Sequence, residues 1–413
     1  MSKSIWILNH HATNMFFDRG GRHYYFAKYL IDAGYDVKIF CASTVHNSDK
    51  NLIQDSRLYF EDNCDGIPFV FIKTRNYNGS GKKRIFNMFD YYRNVKKAAV
   101  QFKKPDVILG SSVHPLACLA AIQLSKKLGC KNIVEIRDLW PESFVAYNVV
   151  GGGNPLLKIL YAGEKWIYKK ADRLIFTVAG GKEYIIEKGW DTEHGGPIDL
   201  HKIYHINNGV DLALFQQNQK DYTFADEDLD NSDRFNIVYT GSVRRVNNIG
   251  LVLDIAKQLK DEDVRFLIWG DGNELEDLKK RAEDENISNV VFKGRIGKEY
   301  VPYILSKSDL NLIHVQATPI MRFGCSLNKL FEYLASRRPV LSDLKVNYDV
   351  IKEYNAGIVT ENQNVDEIAE IVCSFKNMPR EQYEEMCANA WNAAQNYDFR
   401  KLTDDLKEII EGC

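Results

Sequence analysis

Ser326, Lys329 and Glu332 follow one another at three-residue spacing in the segment FGCSLNKLFEY. On a helix that spacing sets a hydroxyl, a cation and a carboxylate along roughly one face. Ser326 reads as the N-cap of a helix over 326–336, with Leu327 contributing backbone to the first turn. A nucleoside diphosphate suits such a set. Helix N–H groups and a lysine meet its phosphates, and a carboxylate accepts from its ribose hydroxyls. The same spacing equally suits a surface ion pair between Lys329 and Glu332, worth about 0–1 kcal/mol.

Two glycine loops add to this chemistry. Gly20 and Gly21 follow the first apolar run and precede RHYYFAKYLIDAG, a helical pattern. Glycine lets backbone turn tightly and approach a ligand, and the helix that follows presents unpaired N–H groups. Arg22 and His23 either donate toward phosphate there or face water. Later, FNIVYT leads into Gly241, Ser242, Arg244 and Arg245 before another helix. Two guanidinium groups beside a helix start can grip a diphosphate, or can be solvated loop residues.

Further residues at expected strand ends are candidates to meet the hydroxyls of a bound ligand. His114 stands after DVILG, at the carboxyl edge of an expected parallel strand, where open α/β sheets bind ligands. It orients a hydroxyl or merely packs. After NIVEI come Arg137, Asp138, Trp140 and Glu142. Asp138 can accept from hydroxyls and Trp140 can stack on a sugar; alternatively Arg137 pairs with Asp138 and Trp140 is buried on the next helix.

These residues need strands to carry them. Apolar runs at 4–9, 36–41, 68–72, 106–110, 132–136 and 173–178 alternate with helical segments at 21–33, 83–102, 114–128, 154–171 and 181–189. The rhythm restarts with runs at 235–240, 264–269, 289–292, 309–315, 339–341 and 357–359. Alternation of this kind predicts two mostly parallel sheets, each covered by helices. The expected domains are 1–200 and 201–390, with a helical segment 391–413 returning toward the first. The polar, acidic run at 217–233 reads as a surface loop.

Composition removes several classes. At 413 residues the chain suits two cores, and its net charge of −2 provides no overall nucleic-acid footprint. Its eight cysteines form no CxxC pair and read as reduced thiols, and no stretch is apolar enough to span a membrane. The N-terminal residues lack a signal-peptide pattern, so a cytoplasmic protein is expected. His10 and His11 have no neighbouring carboxylate or cysteine in sequence, so no metal site is predicted.

The ordered motifs SSVHP (111–115), EIRDLWPE (135–142), NNGVDLALF (207–215), YTGS (239–242), WGDG (269–272) and GCSLNKLFEYLASRRPV (324–340) resemble family-4 glycosyltransferases of the GT-B fold. The likeness spans nearly the whole chain and is to the bacterial branch, including N-acetylfucosamine transferases, that builds lipopolysaccharide, capsule and exopolysaccharide units. It implies two Rossmann-like domains facing across a cleft and transfer with retention from a nucleotide-diphosphate sugar. The expected donor is of the UDP-N-acetylhexosamine type, the acceptor a lipid-linked saccharide, and no cofactor or metal is implied. By the same resemblance, Gly20 and Gly21 are similar to the loop over the donor diphosphate. His114 matches the active-site histidine, Glu332 the ribose carboxylate, and Ser326 with its neighbours the phosphate loop. Gly270 and Gly272 of WGDG match the loop lining the nucleotide pocket. Two features depart from the family. Gly324 stands eight residues before Glu332, where many members carry a glutamate that touches the transferred sugar, and the usual Arg-then-Lys of the second-domain loop is absent. A sugar-nucleotide epimerase, a phosphorylase and a non-catalytic sugar-nucleotide-binding subunit are the competing readings.

Residues 82–104 hold eight Lys or Arg and one acidic residue, Asp90, among apolar residues at helical spacing. Either this segment docks on an anionic membrane surface, which a lipid-linked acceptor requires, or its apolar side packs on the sheet.

Overall fold

The computed structural model describes residues 3–413 apart from Asn47, Asn78, Ser80, Val113, Gly152, Asn231 and Ser232. Val113 of SSVHP and positions 231–232 of the acidic run thus lie outside the described residues. Chain contacts divide the protein into Met1–Asn207 with Phe399–Cys413, and Asn208–Asp398.

The first unit is built on β1 (Ser4–Leu8), β2 (Asp36–Ala42), β3 (Tyr59–Cys64), β4 (Ile67–Ile72), β5 (Val107–Ser111), β6 (Lys131–Ile136), β7 (Arg173–Phe176) and β8 (Ile203–His205). They lie in the order β3-β4-β2-β1-β5-β6-β7-β8, all parallel except the edge pair β3–β4. Alternate side chains of β1 serve opposite faces. Ile5 and Ile7 join the core under helices Arg22–Asp32 and Phe399–Glu411, while Trp6 and Leu8 join that under Lys82–Ala99 and Pro115–Leu128.

The second unit holds β9 (Phe235–Thr240), β10 (Val264–Trp269), β11 (Val290–Gly294), β12 (Leu310–Ile313), β13 (Val340–Ser342) and β14 (Gly357–Val359), all parallel, in the order β11-β10-β9-β12-β13-β14. Ile237 and Tyr239 face one core, and Val238 faces the other with Phe331 and Leu334 of the helix Asn328–Ala335. Two Rossmann-like α/β sheets are therefore the architecture, as the strand and helix rhythm predicts.

Several local expectations change. β8 carries the first sheet past residue 200, so the division falls at 207. At the other end the helix Arg380–Asn396 runs through residue 391 and packs on Asn328–Ala335 in the second unit. Only the helix Phe399–Glu411 belongs to the first unit. Phe399, Leu402, Leu406 and Ile410 repeat at helical spacing, are buried against the first-sheet core, and each contributes about 1.5–3 kcal/mol. The acidic run is not a simple loop. Its first residues complete the helix Leu212–Asp221, and Asp226 and Asp228 pair with Lys293 at 2.7 Å each.

Candidate functional site

In the first sheet the strand order reverses between β1 and β5, and the residues leaving those strands carry the histidines. His114 follows β5 as the N-cap of the helix Pro115–Leu128 and is buried. Its Nε2 lies 2.7 Å from His10 Nδ1, just beyond β1. His10 stacks on His11 and Tyr91, and His11 lies 4.3 Å from the ring of His46, whose Nδ1 meets the Tyr77 hydroxyl at 2.6 Å. Burial, with His11 and Arg84 nearby, pushes His114 down to about 3, so the ring is neutral. His114 Nδ1 is buried without a hydrogen-bond partner among the described residues. No group of three His, Cys, Asp or Glu among these residues is placed to hold a metal ion.

Arg22 and His23 take neither expected role. Both are buried on Glu135, with Arg22 Nε donating to Oε1 at 2.7 Å and His23 Nε2 to Oε2 at 2.8 Å. Arg22 also donates to the carbonyls of Ile206 and Asn207, and Ser111 Oγ donates to Glu135. Burial opposes charge on Glu135, but Arg22 and His23 hold its carboxyl well below the usual range. The cluster ties β5, β6, β8 and the helix Arg22–Asp32 together. In EIRDLWPE the structural weight thus falls on Glu135, a strand residue that sequence reading passed over for its polar neighbours.

The remaining first-unit candidates separate. A short helix, Thr13–Asp18, intervenes between β1 and the glycines. Gly21 sits at φ 106° as the N-cap of Arg22–Asp32 with no side-chain cap, leaving that helix start open. Asp138 is exposed at the end of β6. Glu142 accepts from Tyr161 Oη at 2.6 Å and Lys188 Nζ at 2.7 Å. Trp140 packs against Phe144, ring centroids 4.3 Å apart.

The second unit gathers its candidates at the ends of β9 and β10. Gly241 leaves β9, and a Cβ placed there would stand 2.5 Å from Lys329 Nζ. That ammonium lies 4.0 Å over the Tyr239 ring and has no hydrogen-bond partner among the described residues. Burial pushes it down to about 7, with Glu332 opposing the shift. Burial likewise raises the Glu332 carboxyl against the pull of Lys298 and Lys329. Tyr333 pins this helix to β9, its hydroxyl accepting from Thr240 N at 2.8 Å.

Ser326 is not the N-cap. The helix runs Asn328–Ala335 with Leu327 at the cap and no side-chain capping bond, because Ser326 Oγ accepts from Asn208 N at 3.0 Å and its carbonyl accepts from Asn208 Nδ2. The first N–H groups are consequently uncapped beside Lys329. Gly324 has φ 101°, a conformation that L side chains rarely adopt, so the turn itself is shaped for glycine rather than for the family's glutamate. Gly270 and Gly272 are needed for close packing: a Cβ would meet the carbonyl of Gly241 at 1.7 Å and that of Val243 at 2.0 Å. Ser242 is held by Asn247, which also donates to Tyr239 Oη. Arg244 and Arg245 are exposed beside this loop. Beyond β12 and β13, buried His314 pairs with Asp343 through Nδ1 and donates from Nε2 to the Asn248 carbonyl at 2.9 Å, fixing the loop that starts the helix Ile249–Gln258. Sequence reading missed this pair because its members lie on different strands.

Comparison with known proteins bears on both units. The Glycosyltransferase Family 4 model matches residues 22–214, and the Glycosyl transferases group 1 model matches 222–394. The chain has the GT-B fold, and each of its two units matches a model of glycosyltransferases. This GT-B chain is 22% identical over 271 residues to the probable glycosyltransferase WbjE of Pseudomonas aeruginosa, covering 65% of the chain and 64% of that protein. It is 25% identical over 215 residues to the putative colanic acid biosynthesis glycosyl transferase WcaI of Escherichia coli, covering 51% of each. It spans between half and two thirds of the length of these curated relatives. Among solved structures, sucrose-phosphate synthase from Thermosynechococcus elongatus superimposes with TM-score 0.74 at 16% identity, over 99% of this chain and 98% of that one. Anabaena HepE, solved with UDP and glucose, gives 0.67 at 15% identity over the whole of both chains.

Proposed function

We propose that this chain transfers a sugar, with retention, from a nucleotide-diphosphate donor to a lipid-linked saccharide in surface polysaccharide synthesis. The observation that carries this is Lys329: a buried ammonium without a hydrogen-bond partner among the described residues, against the Gly241 loop and beside an uncapped helix start. A diphosphate leaving group gains negative charge as the glycosidic bond breaks, and fixed N–H groups and a cation stabilise that charge without reorganising. Glu332, on the same helix, takes the ribose hydroxyls. Gly241, Ser242, Gly270 and Gly272 shape the loop backbone, and Arg244 and Arg245 are the reserve cations for phosphate. In the first unit Gly20 and Gly21 offer backbone to the donor, His114 orients the sugar or the acceptor hydroxyl, and Asp138 binds acceptor hydroxyls. The acceptor attacks on the face the diphosphate leaves, and donor phosphate oxygen takes its proton. No resident cofactor or metal enters these steps. The HepE complexes with UDP and the WcaI name support a nucleotide donor and a polysaccharide product. A UDP-N-acetylhexosamine is the donor proposed, and a lipid-linked acceptor places the chain peripherally at the inner face of the cell membrane. The test is purified chain incubated with a panel of nucleotide sugars and lipid-linked acceptors, with product masses and anomeric configuration measured. Transfer with retention is expected; donor binding without transfer to any acceptor would turn the reading to a silent binding subunit.

A further inference from the structure

The apolar residues of the basic segment 82–104 recur at helical spacing and make one broad helical face. In the structure that face divides. Met88, Tyr91, Val95, Ala98 and Ala99 are buried on the sheet, whereas Ile85, Phe86 and Phe89 point outward, 52%, 51% and 47% exposed. The helix Lys82–Ala99 lies beside Pro115–Leu128, which in turn contacts Pro155–Lys170, so the three form one layer over the first sheet. The third helix repeats the pattern. Leu157, Ile167 and Tyr168 are buried, while Leu156, Ile159 and Trp166, at helical spacing, are 52%, 69% and 40% exposed. Tyr147 and Val149, in the segment before this helix, are exposed as well.

Charge on this layer is one-sided. The three helices contain many lysines and arginines but only two carboxylates, Asp90 and Glu164. Asp90 is paired with Arg75 at 2.6 Å, and Glu164 is buried, accepting from Tyr168 and Tyr184. Between the first two helices Arg93, Lys96, Lys97 and Lys127 line a surface depression with Gln123. The whole protein carries −2, so this cationic layer is a local arrangement rather than a reflection of composition.

The structure assigns this three-helix layer as a docking face for an anionic lipid bilayer. Ile85, Phe86 and Phe89 enter the interface at one end, Leu156, Ile159 and Trp166 enter at the other, and the cations between them meet lipid phosphates. No helix among the described residues is long and apolar enough to cross a membrane, so the contact is interfacial. This inference deepens the membrane placement proposed above and rests on that reading for its biological purpose, but its geometry stands on these helices alone. Two apolar anchors separated by cations also fix how the unit lies on the bilayer, which a single helix does not.

Cosedimentation of the full chain with vesicles of phosphatidylcholine, with and without phosphatidylglycerol, tests it. Binding is expected only to the anionic vesicles, and it should weaken with salt. Arg93→Ala with Lys97→Ala should reduce partitioning about 25-fold, at about fivefold for each near-surface cation. Ile159→Ser with Trp166→Ser should reduce it about tenfold or more. All four side chains are exposed or at the rim, and circular dichroism melts matching the parent establish folding of each variant. No binding to anionic vesicles at low salt, equal binding to both vesicle types, or binding untouched by either double variant overturns the docking face. Self-association through Ile159 and Trp166 in place of vesicle binding overturns it as well. Vesicle binding without transfer to any acceptor would instead remove the proposed function and leave the docking face in place.

Discussion

His10 Nδ1 stands 2.7 Å from His114 Nε2, joining the residues that leave β1 and β5 at the point where the first sheet reverses its strand order. One ring nitrogen of His114 is thereby committed, and the other, Nδ1, is left buried and unpaired among the described residues. His114→Ala is expected to lower turnover by about tenfold to a hundredfold, or ~1.4–2.8 kcal/mol, with little change in nucleotide affinity. His10→Ala should lower turnover in the same direction by a smaller factor, because it frees the ring orientation. Steady-state kinetics with nucleotide titration on each variant check both; unchanged turnover in His114→Ala would reduce the pair to a packing contact.

Lys329 and Glu332 should separate when two ligands are compared. Loss of Lys329 by alanine substitution is expected to weaken a nucleoside diphosphate about tenfold to a hundredfold while sparing the uncharged nucleoside. Glu332→Ala should weaken both ligands alike, with the fold intact because alanine suits the helix. Isothermal titration of both ligands with both variants makes the test. An equal penalty on the two ligands after Lys329→Ala would make that lysine structural.

The Lys329 ammonium, pushed down to about 7, also implies a pH dependence. Below that value it is protonated and attracts phosphate; above it, charge must be regained on binding. Affinity for a nucleoside diphosphate is therefore expected to fall as pH rises from 7 toward 9, and Lys329→Ala should flatten that slope.

Glu135 holds Arg22, His23 and Ser111 in a buried network. Glu135→Ala strands a buried guanidinium, a change that costs about 3–5 kcal/mol. Thermal denaturation should show a clearly lowered midpoint, far below that of an exposed control such as Glu193→Ala.

Acid should destabilise the chain before its carboxylates protonate. His114 is depressed to about 3, chiefly by burial. Its unfolded form, near 6.5, binds a proton that the folded form refuses. Stability is full above about pH 6.5 and is lost as pH falls toward this lowered value, by about 1.4 kcal/mol per pH unit. Denaturant midpoints between pH 7 and 5 report this, and His114→Gln should reduce the slope.

The sequence by itself determined the two parallel sheets, because period-two apolar runs and amphipathic helices are local patterns that burial enforces. It also placed Gly241, Lys329 and Glu332, since all three lie at strand or helix ends where spacing alone defines position. An Asp65-Gly66 turn, a hairpin signal, could have revealed β3; its residues Phe60–Asn63 are too polar to announce an edge strand by periodicity. Tertiary structure alone decided the rest. Whether Arg22 and His23 face a ligand or Glu135 depends on a residue more than a hundred positions away. Ser326 lost its capping role to Asn208 in the same way. The outward turn of Ile85 and Phe86 follows from which side of their helix the sheet claims. Local pattern states what a residue can do, and only its distant neighbours, competing for the same hydrogen bonds and the same buried surface, decide which of those things it does.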